Sequence, residues 1–214
     1  MNAGRIFTSQ EANTLLDIIR HRRDVRGNRF IPKPLEPETL QRLLDAALHA
    51  PSVGFSQPWE FVIVEDTNRR RRIRESFETK NNEAKELFTK QDRSTEYAQL
   101  KLEGILESAL NIAVFYVPPQ TPVLGQTAME EAGLYSAVCA VQNIWLMARA
   151  LNVGVGWLSI LDPERVRQLL DVPADRRLVA YLCVGYTDGF YEQPELELLQ
   201  WEKRKAKETV IKKL

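Results

Sequence analysis

Between residues 130 and 151 the chain places Leu134, Val138, Val141, Ile144, Trp145 and Met147, so a helix there is apolar almost all round. A helix on the surface of a globular protein keeps one polar face. A helix without one has to be covered on every side, by a core or by another subunit. The rest of the chain must therefore supply that cover. With 214 residues it suggests one domain, or one domain with arms, because two separate cores would each be small. Its 44% apolar and 27% charged residues are those of a globular domain. The 29 basic residues are balanced by 29 acidic ones, which leaves no cationic surplus of the kind nucleic-acid binders carry.

Four runs read as strands: 59–65, 111–117 (closed by Pro118 and Pro119), 153–161 and 177–186. Helices are expected between them. Thr8, with Glu11 three residues on, reads as a helix start, and the helix should run to about Arg26 and Gly27. An extended connector with three prolines follows at 30–37, then a helix from Pro37 with Leu40, Leu43, Leu44 and Leu48 on its apolar face. A basic helix is expected at 68–77, a polar and weakly periodic stretch at 81–94, another helix near 97–108, and a short one at 163–170. The tail beyond Tyr186 has no sizeable apolar core of its own. Strands and helices do not alternate strictly, which favours an α+β class over a doubly wound one.

Cys139 and Cys183 sit in apolar runs without CxxC spacing, as buried free thiols of a reducing compartment do. His21 and His49 have no partner at metal-ligand spacing. The first ten residues contain no apolar signal core, and no apolar run approaches the ~18 residues that span a bilayer, so a cytoplasmic protein is expected.

Three segments carry candidate chemistry. Arg22, Arg23 and Arg26 surround Asp24, offering planar multi-donor cations suited to a phosphate or an anionic ring edge. On a helix Arg22 and Arg26 would share a face, and the plain alternative is a solvated helix end with an internal ion pair. The loop at 50–59, with Pro51, Ser52 and Val53, can bring backbone N–H groups and a hydroxyl against a flat ligand; otherwise it is a helix-to-strand connection. Gly154 and Gly156 permit close backbone approach, and Ser159 would alternate with Trp157 on one strand face.

In this order RRDVRGNRF (22–30), APSVGFSQPWEF (50–61), LKLEGILESALN (100–111), LYSAVCAVQNIWLMARA (134–150) and VGVGWLSIL (153–161) resemble the nitroreductase-like flavoproteins, and within them the BluB-like 5,6-dimethylbenzimidazole synthases. Phe55 stands where ordinary nitroreductases commonly carry Asn, which supports the subfamily. The resemblance implies an α+β nitroreductase-like fold, with a mainly antiparallel central sheet flanked by helices. The chain reads as a single domain, in which the polar 81–94 stretch is either a lid or a solvent-exposed helical insertion and 187–214 is a C-terminal arm. The resemblance also implies a homodimer with exchanged terminal arms that binds FMN at the subunit interface. The implied reaction consumes reduced FMN (FMNH2) as a substrate: O2 fragments it to 5,6-dimethylbenzimidazole, the lower ligand of cobalamin, and erythrose 4-phosphate. NAD(P)H would act only through a separate flavin reductase.

Carried onto this chain, Asp24 and Ser159 are the catalytic candidates, as general base and hydrogen-bond donor. The flavin-binding candidates are Arg22, Arg23, Asp24, Val25, Arg26, Pro51, Ser52, Val53, Gly156, Trp157, Leu158, Ser159 and Arg204. Neighbouring cations should lower the pKa of Asp24 unless burial dominates. A recycling NAD(P)H-dependent nitroreductase or flavin reductase, and a non-enzymatic FMN-binding protein, are the alternatives. The arginine run 69–72 reads as a solvated helix face.

Overall fold

A computed structural model describes residues 4–213; the start of the N-terminal segment and Leu214 of the C-terminal arm lie outside the described residues. The elements in chain order are α1 (Ser9–His21), α2 (Pro37–Leu48), β1 (Trp59–Val64), α3 (Thr67–Thr89), α4 (Ser94–Gln99), β2 (Leu110–Tyr116), α5 (Ala132–Ala150), β3 (Val153–Leu158), α6 (Pro163–Leu169), β4 (Arg177–Tyr186), α7 (Glu195–Leu198) and α8 (Lys207–Val210).

The four strands form one sheet in the order β1-β2-β4-β3, with every neighbouring pair antiparallel. Strand β2 is buried along nearly its whole length and apolar there except for Asn111, because both faces of the sheet are covered; Asn111 is satisfied by Ser108 and Tyr181. On one face Leu43 and Ala47 of α2 and Val141 and Ile144 of α5 pack against Ile112, Val114, Val155 and Leu182. On the other, Ile73 and Phe77 of α3 and Val166 of α6 pack against Phe115, Tyr181, Cys183 and Leu158. The fold is thus α+β, an antiparallel sheet flanked by helices. Cys183 is buried and its thiol is pushed up to about 12 by that burial, whereas Cys139 is half-buried. No helix among the described residues is long and apolar enough to cross a membrane.

Helix α5 is only partly covered by its own chain. Val141 and Ile144 are fully buried, but Tyr135 and Val138 are 54% and 37% exposed. Helix α1 has a capping box at Thr8 and Glu11, yet buries none of its residues, and Leu15, Leu16 and Ile19 stay exposed.

Several expectations are corrected. Helix α1 ends at His21, and Arg22 is already extended (φ −64°, ψ 133°). Residues 22–26 leave the helix because the edge of the sheet captures them: the Val25 N–H donates to the Val155 carbonyl at 3.0 Å, and Asp24 forms a parallel bridge to Val155. Helix α3 is the longest, at 23 residues, and runs through most of the 81–94 stretch. No glycine or proline interrupts it, and pairs such as Lys80–Glu83 support its exposed face. The helix expected at 97–108 is only α4, six residues long. Remote donors take the carbonyls that a longer helix would need. Arg26 bonds the Leu102 carbonyl, the Gly27 N–H that of Glu103, and buried Arg70 those of Ile105, Ser108 and Ala109, so the 69–72 run is not simply the solvated face expected of it.

Candidate active site

A cavity of about 660 Å³ opens where the end of α1 and the 22–26 segment meet Lys101 and Leu102, Gln142 of α5, and Pro194, Glu195, Leu196 and Arg204 of the C-terminal arm. Its volume is in the range of small-molecule sites, ~300–1,000 Å³. Arg22, Arg23, Asp24 and Arg26 all line it.

Asp24 is the most constrained of these. Its Oδ1 accepts the Trp157 backbone N–H at 3.1 Å, and its Oδ2 pairs with Arg26 Nη2. A third of the side chain remains exposed. Burial raises its pKa to about 6, although Arg26, the Trp157 N–H and Arg22 all favour the carboxylate; Glu195 pushes the same way as burial. Burial therefore outweighs the cations, and the expected lowering does not occur.

The arginines differ in what they hold. The Arg22 guanidinium lies 4.4 Å over the Trp145 ring, and burial lowers its pKa, with Arg204 adding to the repulsion. Arg23 donates to the carbonyls of Arg20, Arg22 and Glu192, which ties the end of α1 to the C-terminal arm; its Nε is buried without a partner. Arg22, Arg23 and Arg204 form no ion pair among the described residues, whereas Arg26 is bound to Asp24. Unpaired cations and an orphaned buried donor around one cavity fit an anionic ligand carrying a phosphate.

The glycine-rich strand lies behind this wall. A Cβ at Gly156 would run into the Val25 carbonyl, so glycine is required for the 22–26 segment to lie along β3. Val25 is buried, and Gly154 and Gly156 pack against it. Trp157 is half-buried, and its neighbour Leu158 points into the core beside Ile73 and Phe77. Alternation along the strand puts these two side chains on opposite faces, so they do not line one ring together. Strand β3 stops at Leu158. Ser159 lies beyond it and is exposed, so it does not continue the Trp157 face as a strand residue.

Pro51, Ser52 and Val53 do not join the cavity wall within one chain. Their loop is fixed at the N-terminal part of α5, where Ser136 Oγ accepts the Val53 N–H at 3.1 Å and Ser52 Oγ accepts the Gln57 N–H at 3.1 Å. It presents Phe55, 81% exposed and at φ +54°, to open surface. Sequence reasoning missed Leu102, Gln142, Glu195 and Leu196. None has a local signature; they reach the cavity through contacts distant in sequence.

The model of the Nitroreductase family matches residues 19–186. A 5,6-dimethylbenzimidazole synthase of Rhodospirillum rubrum is 44% identical over 207 residues, covering 96% of this chain and 97% of that protein. The structure of a BluB-like flavoprotein from Clostridium difficile 630 superposes with a TM-score of 0.69 at 19% identity, covering 94% of this chain and 98% of the other. An iodotyrosine deiodinase bound to FMN and 3-iodo-L-tyrosine superposes with a TM-score of 0.68 at 26% identity, covering 83% and 91%.

Proposed function

The chain belongs to the nitroreductase family, and from that premise we propose that it is a 5,6-dimethylbenzimidazole synthase. It would convert reduced FMN, with O2, to 5,6-dimethylbenzimidazole and erythrose 4-phosphate. The observation that carries this reading is Asp24. A carboxylate locked by a backbone N–H and a guanidinium, in the wall of a cavity with unpaired arginines, is a base placed beside an anion-binding surface.

The cavity residues divide the work. Arg22 and Arg204 meet the phosphate end, and the buried Nε of Arg23 offers a further donor. Reduced flavin supplies the electrons that O2 takes up. Asp24 accepts a proton from the ribityl chain, a role worth typically ~10²–10⁴-fold in rate. The C-terminal arm and the 101–102 segment keep water from that proton transfer. Ser159, exposed just beyond β3, would donate a hydrogen bond toward the ring edge. The 81–94 stretch, as the end of α3 and its turn, does not line the cavity within one chain and would have to move to close over it as a lid.

A second copy completes the site. Tyr135, Val138 and Gln142 follow one another along one face of α5. A two-fold axis through that stripe sets the N-terminal half of one α5, with its 51–53 loop, against the Gln142 end of the other, where the cavity lies. Pro51, Ser52 and Val53 would then reach the partner's flavin. Exchange of the terminal arms would bury Ile6 and Phe7, which are 90% and 65% exposed in one chain. Reduced flavin would arrive from a separate flavin reductase.

The test is one reaction. Purified protein is mixed with chemically reduced FMN, air is admitted, and products are separated with mass detection. Benzimidazole formed in proportion to FMN consumed supports the synthase. FMN returned oxidised and intact, with only H2O2 formed, refutes it, and NAD(P)H turnover then separates a reductase from a flavin-binding protein.

A further inference from the structure

We propose that Arg26 is a positioning residue for Asp24 and not a ligand of the flavin's phosphate. This rests on the synthase reading for its kinetic consequences, although the contacts themselves do not. Arg26 sits among three acceptors from three parts of the fold. Its Nη2 pairs with Asp24 Oδ2, and its Nη1 donates to the Leu102 carbonyl at 3.1 Å and the Trp157 carbonyl at 3.3 Å. Its side chain is only 18% exposed. A guanidinium is a rigid planar fork, so acceptors on both of its terminal nitrogens fix its plane as well as its place.

A phosphate would have to displace the carboxylate and two backbone carbonyls to recruit Arg26. Arg22 and Arg204 line the same cavity with no carboxylate to displace. The cations of the site therefore serve two purposes. The unpaired ones face the ligand's anionic end, and Arg26 holds the base.

The consequence for Asp24 is geometric. The Trp157 N–H takes one lone pair on Oδ1 and Arg26 takes one on Oδ2, so each oxygen keeps acceptor capacity. Rotation about the side chain is blocked at both oxygens, while the exposed third opens to the cavity. The same guanidinium links Asp24 to the 101–102 wall through Leu102, and the Gly27 N–H bond to the Glu103 carbonyl at 2.8 Å ties those segments again one residue on. The other charges that line the cavity with Asp24 are Arg20 at the end of α1, Arg22 and Arg23 on its own segment, Lys101 beside Leu102, and Glu195 and Arg204 on the C-terminal arm; β3 brings none.

The experiment compares R26Q and R26K with the wild-type protein. FMN affinity is read by fluorescence and benzimidazole formation is measured across pH. R26Q should bind FMN within about threefold of wild type and lose at least about tenfold in plateau rate, in keeping with a displaced general base. Its acid limb should move up by ~1–3 pH units, because a cation within contact distance of a carboxylate has been removed. R26K should return the limb toward wild type while recovering the rate only in part, since an ammonium cannot hold the three acceptors as a fork does. Loss of FMN affinity in step with loss of rate, with the limb unmoved in both variants, would overturn the proposal. If the wild type makes no benzimidazole, the synthase reading has failed by itself. Infrared titration of the Asp24 carboxyl, assigned with D24N, then decides the Arg26 question. A midpoint raised in R26Q sustains the pairing, and an unmoved midpoint overturns it.

Discussion

The Trp157 backbone N–H and the Asp24 carboxylate lie 3.1 Å apart although 133 residues separate them in the chain. The bond exists because 22–26 runs along the edge of β3, a path that Gly156 keeps open. The orientation of the acid is thus set by the sheet.

Replacing Asp24 by Asn keeps the shape and removes the base. D24N should bind oxidised FMN with near wild-type affinity and lower benzimidazole formation by ~10²–10⁴-fold. Product chromatography after anaerobic reduction and re-oxidation checks this. Full product formation would remove Asp24 from the chemistry.

The pH dependence follows from the pKa of Asp24, raised to about 6. The base is the ionised form, so the rate should fall as pH drops through about 6. For stability the sign is opposite. A carboxyl whose pKa is higher folded than unfolded favours the fold when protonated, and that contribution is lost as pH rises from the ordinary value of 3.8 through about 6. The Tm of wild type minus that of D24N should therefore decrease across this window in paired thermal melts. A difference that increases would contradict the assignment.

A charge at the exposed seam of α5 should separate the subunits. Val138 is 37% exposed in one chain, and V138E places an unpaired carboxylate at the proposed two-fold contact. Light scattering should give a monomer, and bound FMN should be lost, because the 51–53 loop would no longer meet the cavity. A monomeric variant that retains FMN would show that one chain suffices.

Trp201 anchors the arm that carries Arg204. It lies against Phe88 with Arg93 stacked 3.8 Å from its ring centroid, and Arg93 also bonds its carbonyl at 3.1 Å. Cation–π contacts are worth ~0.5–2 kcal/mol, so W201A should release the arm without unfolding the core. FMN binding should weaken by about fivefold to tenfold, with faster tryptic cleavage at Lys203 and Arg204. Unchanged proteolysis would mean that the arm is held elsewhere.

Much of the fold was legible in the chain. The α+β class, the four strands to within a few residues, the Thr8 cap and the apolar α5 all follow from periodicity and local chemistry, which neighbouring residues carry among themselves. The RRDVR cluster was legible as a candidate site for the same reason. Its shape was not, because an extended path along β3 depends on a glycine 130 or more residues away. Nor could periodicity foresee that Arg70 and Arg26 draw 100–109 out of a helix, since those bonds cross 35 to 76 residues. The low pKa expected of Asp24 from its charged neighbours gave way to burial, a quantity that exists only once Leu102 and the C-terminal arm have closed around it. The sequence by itself determined which groups are present and which segments can become strands and helices. Tertiary structure decided which arginine holds the acid and which remain free for a ligand, because that choice depends on distances between residues the chain keeps far apart.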